Sequence, residues 1–114
     1  PSVFDEIYTF VRDAALYEVQ ITILTPFPGT PLYERLRKEN RLIEPTNWKK
    51  CTLFDLNLRP KGMTVEELRT GFHALAEKLY SASFTQWRRE AFKQNLRNPS
   101  NEWNIRSNPM AKAV

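Results

Sequence analysis

The run Gln20-Ile-Thr-Ile-Leu-Thr-Pro-Phe-Pro-Gly-Thr-Pro-Leu-Tyr-Glu34 constrains the fold more than any other part of the chain. Val19, Ile21 and Ile23 alternate with Gln20, Thr22 and Leu24, the period-two pattern of a β-strand. Pro26 ends it. Thr30-Pro31 then reads as a helix N-cap followed by proline at the first helical position, where a missing N–H costs little. No second segment reads as clearly as a strand, and a lone strand leaves a row of backbone N–H and C=O groups unpaired. The expectation is a piece cut from the end of a larger α/β protein. A start at Pro1 rather than Met fits that expectation.

Helices flank the strand-like run. Ser2 can cap a first helix, with Asp5 and Glu6 in its first turn, where carboxylates complement exposed N–H groups. Phe4, Ile7, Tyr8, Val11, Ala14 and Ala15 recur at helical spacing, which predicts a helix to about Tyr17. The helix starting at Pro31 carries Leu32 and Leu36 on one side and should fade near Asn40. Residues 41–63 are mostly irregular, punctuated by Pro45, Pro60 and Gly62, with a weakly alternating stretch from Thr52 to Leu58 that is the expected partner of Gln20–Thr25. Thr64 and Glu67 form a capping box, with Met63 placed to staple onto Leu68. Val65, Leu68, Phe72, Leu75 and Leu79 make the stripe of that helix. Gly71 costs it roughly 1 kcal/mol relative to alanine, which close packing against a neighbour would explain. Ser81 and Ser83 suggest a joint before a last helix with Phe84, Trp87, Ala91 and Phe92 on one side. After Leu96 the chain turns polar, and 98–114 is expected to be a disordered tail.

Charge narrows the partners. Residues 1–82 hold 11 Lys/Arg against 11 Asp/Glu, while 83–114 hold six cations against two carboxylates, so the net charge of +4 belongs to the C-terminal segment. A general nucleic-acid reading from the high pI is disfavoured. No apolar run reaches membrane length and no signal-peptide pattern opens the chain. A single cysteine, Cys51, excludes an internal disulfide framework and suggests a reducing, cytoplasmic setting.

The turn Thr25–Pro31 follows the C-terminal end of the strand-like run, where α/β folds place their active sites. It is a poor phosphate loop, because Pro26, Pro28 and Pro31 lack N–H groups and no Walker-type Lys is present. A rigid wall beside a ligand is the functional reading; a stiff turn setting the strand–helix angle is the bland one. Gln20 and Thr22 are polar on the face opposite Val19, Ile21 and Ile23. A barrel interior holding a ligand accounts for that, as does an exposed sheet edge.

Ile-Thr-Ile-Leu-Thr-Pro-Phe-Pro-Gly-Thr-Pro-Leu-Tyr-Glu-Arg-Leu, with Glu39-Asn-Arg-Leu-Ile43 and Asn47-Trp48 downstream, resembles the end of the catalytic barrel of radical SAM proteins. The resemblance is to the subgroup carrying an N-terminal cobalamin-binding domain, which includes Mg-protoporphyrin ester cyclase-like and hopanoid-modifying enzymes. Leu58-Arg-Pro-Lys-Gly-Met-Thr-Val-Glu-Glu-Leu-Arg-Thr-Gly-Phe resembles the C-terminal extension that follows the barrel there. The resemblance implies a helix-rich α+β fold: residues 1–43 as the last β/α unit of a partial TIM-type barrel, and 44–97 as a mostly helical extension. It implies a 4Fe-4S cluster and S-adenosylmethionine in the parent, with cobalamin on resemblance alone, and a small-molecule substrate. Carried over, it makes Leu24, Thr25 and Pro26 candidate S-adenosylmethionine contacts and sets Gln20 and Thr22 facing substrate. The family's CxxxCxxC motif is missing here. Three thiolates are needed to hold such a cluster, so this piece alone is expected to be catalytically silent, with no catalytic or metal-binding residue of its own, its partner being the upstream barrel.

Other chemistry-bearing residues have bland explanations. Cys51 is a lone thiol after Lys49 and Lys50. His73 lies off the apolar stripe, which predicts a solvated position. Glu66 and Glu67 serve the helix start. Trp87-Arg-Arg-Glu-Ala-Phe-Lys-Gln-Asn-Leu-Arg97 mixes aromatics with cations, and the alternative to the enzyme reading is a helical interaction module whose basic end binds an acidic partner or RNA. The favoured reading of that segment docks Trp87 and Phe92 on a core beneath a basic outer face.

Overall fold

In a computed structural model of the chain, residues 2–97 are described. They form four helices: α1 (Ser2–Asp13), α2 (Pro31–Lys38), α3 (Val65–Tyr80) and α4 (Ala82–Arg97). A single 3₁₀ turn lies at Trp48–Lys50. The expected tail at 98–114 lies outside the described residues.

The helix boundaries follow local chemistry. Thr30 caps α2 by accepting from the Tyr33 N–H at 3.2 Å. Before it, Phe27–Thr30 forms a turn closed by Thr30 N–H to Phe27 O at 3.2 Å, with Gly29 at φ 80°. Pro28 and Gly29 hold the two central places of a type II turn, whose second position needs positive φ. The capping box of α3 is complete: Thr64 Oγ1 accepts from Glu67 N–H at 3.1 Å, and Glu67 Oε2 accepts from Thr64 N–H at 2.7 Å. Ser81 serves both neighbours at the joint. Its hydroxyl donates to Lys78 O of α3 at 3.0 Å and accepts from Phe84 N–H of α4 at 3.3 Å. Helix α1 stops four residues short of the predicted Tyr17, because the chain bends through Ala15 at φ 45°, buried in the core.

Two apolar clusters form the core. One gathers Val11, Leu75 and Leu79, with Phe4, Ile7, Tyr8, Leu16, Val19, Ile21 and Phe84 against them. The other gathers Ile23, Leu36, Leu42, Leu56 and Leu58, with Leu32, Tyr33, Ile43, Val65, Leu68 and Phe72 around it. Helix α3 spans both, giving Val65, Leu68 and Phe72 to the second and Leu75 and Leu79 to the first. Gly71 sits where α1 crosses α3. A Cβ there would lie 2.6 Å from Phe4 Cδ2 and nearer still to two other ring atoms. The glycine is the price α3 carries for bringing α1 this close.

The expected strand is corrected. Among the described residues there is no strand; Gln20–Thr25 has no regular secondary structure, and its alternating burial and alternating backbone partners are those of extended chain. Of its expected pairing with Thr52–Leu58, one backbone bond forms, Ile23 N–H to Leu53 O at 2.7 Å. Leu58 bridges Leu42 in antiparallel sense instead, flanked by Ile43 N–H to Asn57 O at 3.2 Å and Arg59 N–H to Arg41 O at 2.8 Å. The reason is physical: a ladder needs a neighbour along its whole length, and the 52–55 stretch folds on itself. Thr52 Oγ1 accepts from Phe54 N–H and Asp55 N–H and donates to Asp55 Oδ2 at 2.7 Å. The fold is helix-rich, as predicted, with the β component reduced to an isolated bridge.

Candidate functional site

The extended segment keeps the two-sided character of a strand. Val19, Ile21 and Ile23 pack into the two clusters, while Gln20, Thr22 and Leu24 are exposed, Leu24 at 62%. Its backbone is equally two-sided. Ile21 N–H donates to the Tyr80 hydroxyl of α3 at 3.0 Å and Ile23 N–H donates to Leu53 O. Among the described residues, the N–H groups of Gln20, Thr22 and Leu24 have no acceptor. In extended chain, alternate residues address opposite edges, so one edge is held at Ile21 and Ile23 and the other is open among the described residues.

The predicted contacts therefore divide. Leu24 shares a surface with Gln20 and Thr22. Thr25 turns inward, 7% exposed, and its hydroxyl donates to Thr52 O at 2.6 Å and Ile23 O at 3.1 Å. Pro26 is buried beside it. Thr25 and Pro26 shape the bend; Leu24 faces out from it. Two exposed residues that the sequence pattern did not single out, Leu53 and Phe54, stand alongside, since Leu53 O is the acceptor for Ile23. Nothing in their spacing marks them, because their placement depends on a contact about 30 residues away in sequence.

A polar cluster braces the chain behind α2. Asn57, buried, accepts from Glu44 N–H at 2.8 Å and donates to Glu44 O at 3.1 Å, standing in for a strand partner. The Glu44 carboxylate accepts from Asn47 Nδ2 and Lys50 Nζ, each at 2.5 Å. The Asn47 hydrogen bond first, then the Lys50 ammonium, hold Glu44 below the ordinary carboxylate value of 4.5. Cys51 is half-buried and His73 exposed. Among the described residues, no group of three or more His, Cys, Asp or Glu is placed to hold a metal ion.

The basic C-terminal helix is also corrected. Arg88 is not on an outer face; it is 1% exposed. Its Nη1 donates to Leu16 O at 2.9 Å and Tyr17 O at 3.2 Å, and its Nη2 to Leu79 O at 3.3 Å and Thr85 Oγ1 at 3.4 Å. Arg89 is spent on Glu18 at 2.5 Å and on the face of Tyr17. Phe92 packs against Tyr17 with ring centroids 5.5 Å apart. Trp87 is 45% exposed and stacks on Phe84 rather than entering the core. The signal for Arg88 was present: residues 84, 88, 91 and 92 share one helical side.

A helix-rich unit built around one open extended edge is the class that the geometry defines. The chain belongs to the DUF4070 family, described as a domain of unknown function, whose model matches residues 30–114. It is also 29% identical over 80 residues to the bacteriochlorophyllide d C-12(1)-methyltransferase of Chlorobaculum tepidum. That stretch covers 70% of this chain and 17% of the methyltransferase, so the chain spans about a sixth of the length of the curated relative it matches. No solved structure matches. No helix among the described residues is long and apolar enough to cross a membrane.

Proposed function

We propose that this chain is the C-terminal part of a radical SAM methyltransferase, in which Gln20–Thr25 completes the barrel and the helices that follow α2 form the extension shaping the substrate pocket. The observation that carries the reading is the open edge of the extended segment beside its exposed Gln20/Thr22/Leu24 face. An unpaired edge of this kind is a template for another strand, and the relative's greater length leaves ample chain to supply one. The methyltransferase likeness supports the reaction class, and the resemblance of the Thr25–Pro31 turn and its flanks supports the radical SAM assignment. Both core clusters draw on residues from either side of residue 43, so in this reading the barrel unit and the extension pack together.

The donor set defines what this chain would contribute. One cysteine cannot hold a 4Fe-4S cluster, so the residues here do not fit that group. Toward S-adenosylmethionine, Leu24 offers exposed apolar surface suited to an adenine face, its amide being left to the neighbouring strand. Thr25, its hydroxyl engaged, and Pro26 fix the angle at which Leu24 is presented. The interaction-module alternative loses its main support, because Arg88 is buried and Arg89 is paired within the chain.

The test is made on the intact protein, purified without oxygen. It is expected to bind S-adenosylmethionine, with Leu24→Lys weakening binding at least tenfold. Unchanged binding in Leu24→Lys would remove that residue from the site. An intact protein that does not bind S-adenosylmethionine would overturn the reading as a whole.

A further inference from the structure

A buried cation without a carboxylate is costly unless other groups replace its water. At its two terminal nitrogens Arg88 meets that demand with carbonyl oxygens and Thr85 Oγ1, while its buried Nε has no partner among the described residues. Two of those carbonyls, Leu16 and Tyr17, lie where the chain leaves α1 and becomes the extended segment. The third, Leu79, lies in the last turn of α3, one residue before Tyr80, whose hydroxyl accepts from Ile21 N–H. The Leu79 carbonyl, in the last turn of α3, lacks an intrahelical donor and carries partial negative charge, and the Leu16 and Tyr17 carbonyls lie in the bend that follows α1, so three free acceptors and one guanidinium answer one another. The planar fork of arginine reaches the end of α3 and the bend after α1 at once, which a lysine ammonium cannot do with the same rigidity. Arg88 also lies over the Phe84 ring at 5.5 Å, and next to it Arg89 ties Glu18 to α4.

We infer that Arg88 is a positioning residue, a latch through which α4 sets the angle and register at which Gln20–Thr25 leaves α1. What that position serves rests on the proposed function, since the segment carries Gln20, Thr22 and Leu24. The latch itself is a property of this chain. It makes the C-terminal helix a determinant of the site's geometry from a distance, touching neither substrate nor cofactor. It also explains why the guanidinium sits on the apolar side of α4, where an aliphatic residue would pack more cheaply.

The experiment is amide hydrogen exchange on this chain, resolved at Ile21 and Ile23 and across α3, for the parent sequence, Arg88→Lys and Leu75→Ala. Leu75→Ala weakens the same core without touching the latch, so Ile21, Ile23 and α3 should lose protection by a common factor. In Arg88→Lys, Ile21 and Ile23 should lose at least tenfold more protection than the α3 amides. An equal loss everywhere, or no loss at Ile21 and Ile23, would reduce Arg88 to an ordinary core residue. Should Arg88→Lys not fold, Thr85→Val removes only the hydroxyl that accepts from Nη2. A selective loss of at least twofold at Ile21 and Ile23 is then expected, and its absence overturns the latch. No cofactor enters these measurements, so their failure is distinct from a failure of S-adenosylmethionine binding.

Discussion

The two core clusters are built from the same kinds of residue and differ in what closes them. The cluster of Val11, Leu75 and Leu79 is walled mainly by α1, α3 and α4, elements that satisfy their own backbones, with Leu16, Val19 and Ile21 of the non-helical chain closing one side. The cluster of Ile23, Leu36, Leu42, Leu56 and Leu58 is walled by α2, part of α3 and extended or irregular chain. Its backbone is served by scattered bonds, by Asn57 acting as a surrogate strand, and on one edge by nothing among the described residues. A helix can be complete inside a piece of a protein; an extended segment is complete only with its neighbour. Under the proposed function, the contrast marks the edge at which upstream chain would join.

Substitutions can sharpen or break that contrast. The largest effect is expected at Leu79, fully buried among helices: Leu79→Ala should cost about 3–5 kcal/mol in denaturant unfolding, since rigid surroundings cannot collapse into the cavity. Leu36→Ala, at 2% exposure in the loop-walled cluster, should cost less, about 2–3 kcal/mol, because loops relax into the space. Equal losses would mean that both clusters are equally rigid and would break the comparison. Gly71→Ala comes next. Helix propensity alone predicts a gain of about 1 kcal/mol, but the new Cβ must displace the Phe4 ring, and a net loss of about 1 kcal/mol is expected. A gain in melting temperature would show that α1 is not pinned there. Thr64→Ala removes the α3 cap and should cost about 1 kcal/mol.

The smallest effect is on acid sensitivity. Glu67, held low chiefly by the Thr64 backbone N–H, and Glu44, held low by Asn47 and then Lys50, both lie below 4.5. A carboxylate depressed on folding adds stability above its unfolded value, which is lost as pH falls through the folded one. Unfolding midpoints should therefore be flat above pH 4.5 and decline below it. Glu44→Gln and Glu67→Gln should each flatten part of the decline, modestly, as both groups are solvent-accessible.

How much of this was legible in sequence follows the same division. The Thr30 cap with Pro31, the Thr64/Glu67 capping box, the Ser81 joint and the tight approach at Gly71 were all readable, because each depends on neighbours within a few residues or on a single anomalous residue. The inward and outward sides of residues 19–25 were readable from period two. Pairing was not. A ladder is a relation between distant segments, so the sequence did not reveal that Leu58 bridges Leu42 or that 52–55 turns back on Thr52. For the site, Gln20, Thr22 and Leu24 were readable as one face. That Thr25 turns inward while Leu24 faces out was not readable from the motif, although residues adjacent in extended chain point apart. Arg88 was misjudged because charge suggested surface, while its helical position beside Phe84, Ala91 and Phe92 pointed inward.

The central claim is that the edge bearing the amides of Gln20, Thr22 and Leu24 is open here and filled by upstream chain in the whole protein. Residue-resolved hydrogen exchange on this chain and on the intact protein tests it directly. In this chain, Ile21 and Ile23 should be protected while Gln20, Thr22 and Leu24 exchange freely; in the intact protein all five should be protected. Free exchange of the three even-numbered amides in the intact protein would contradict the account, leaving 19–25 as a surface segment rather than the closing strand of a barrel.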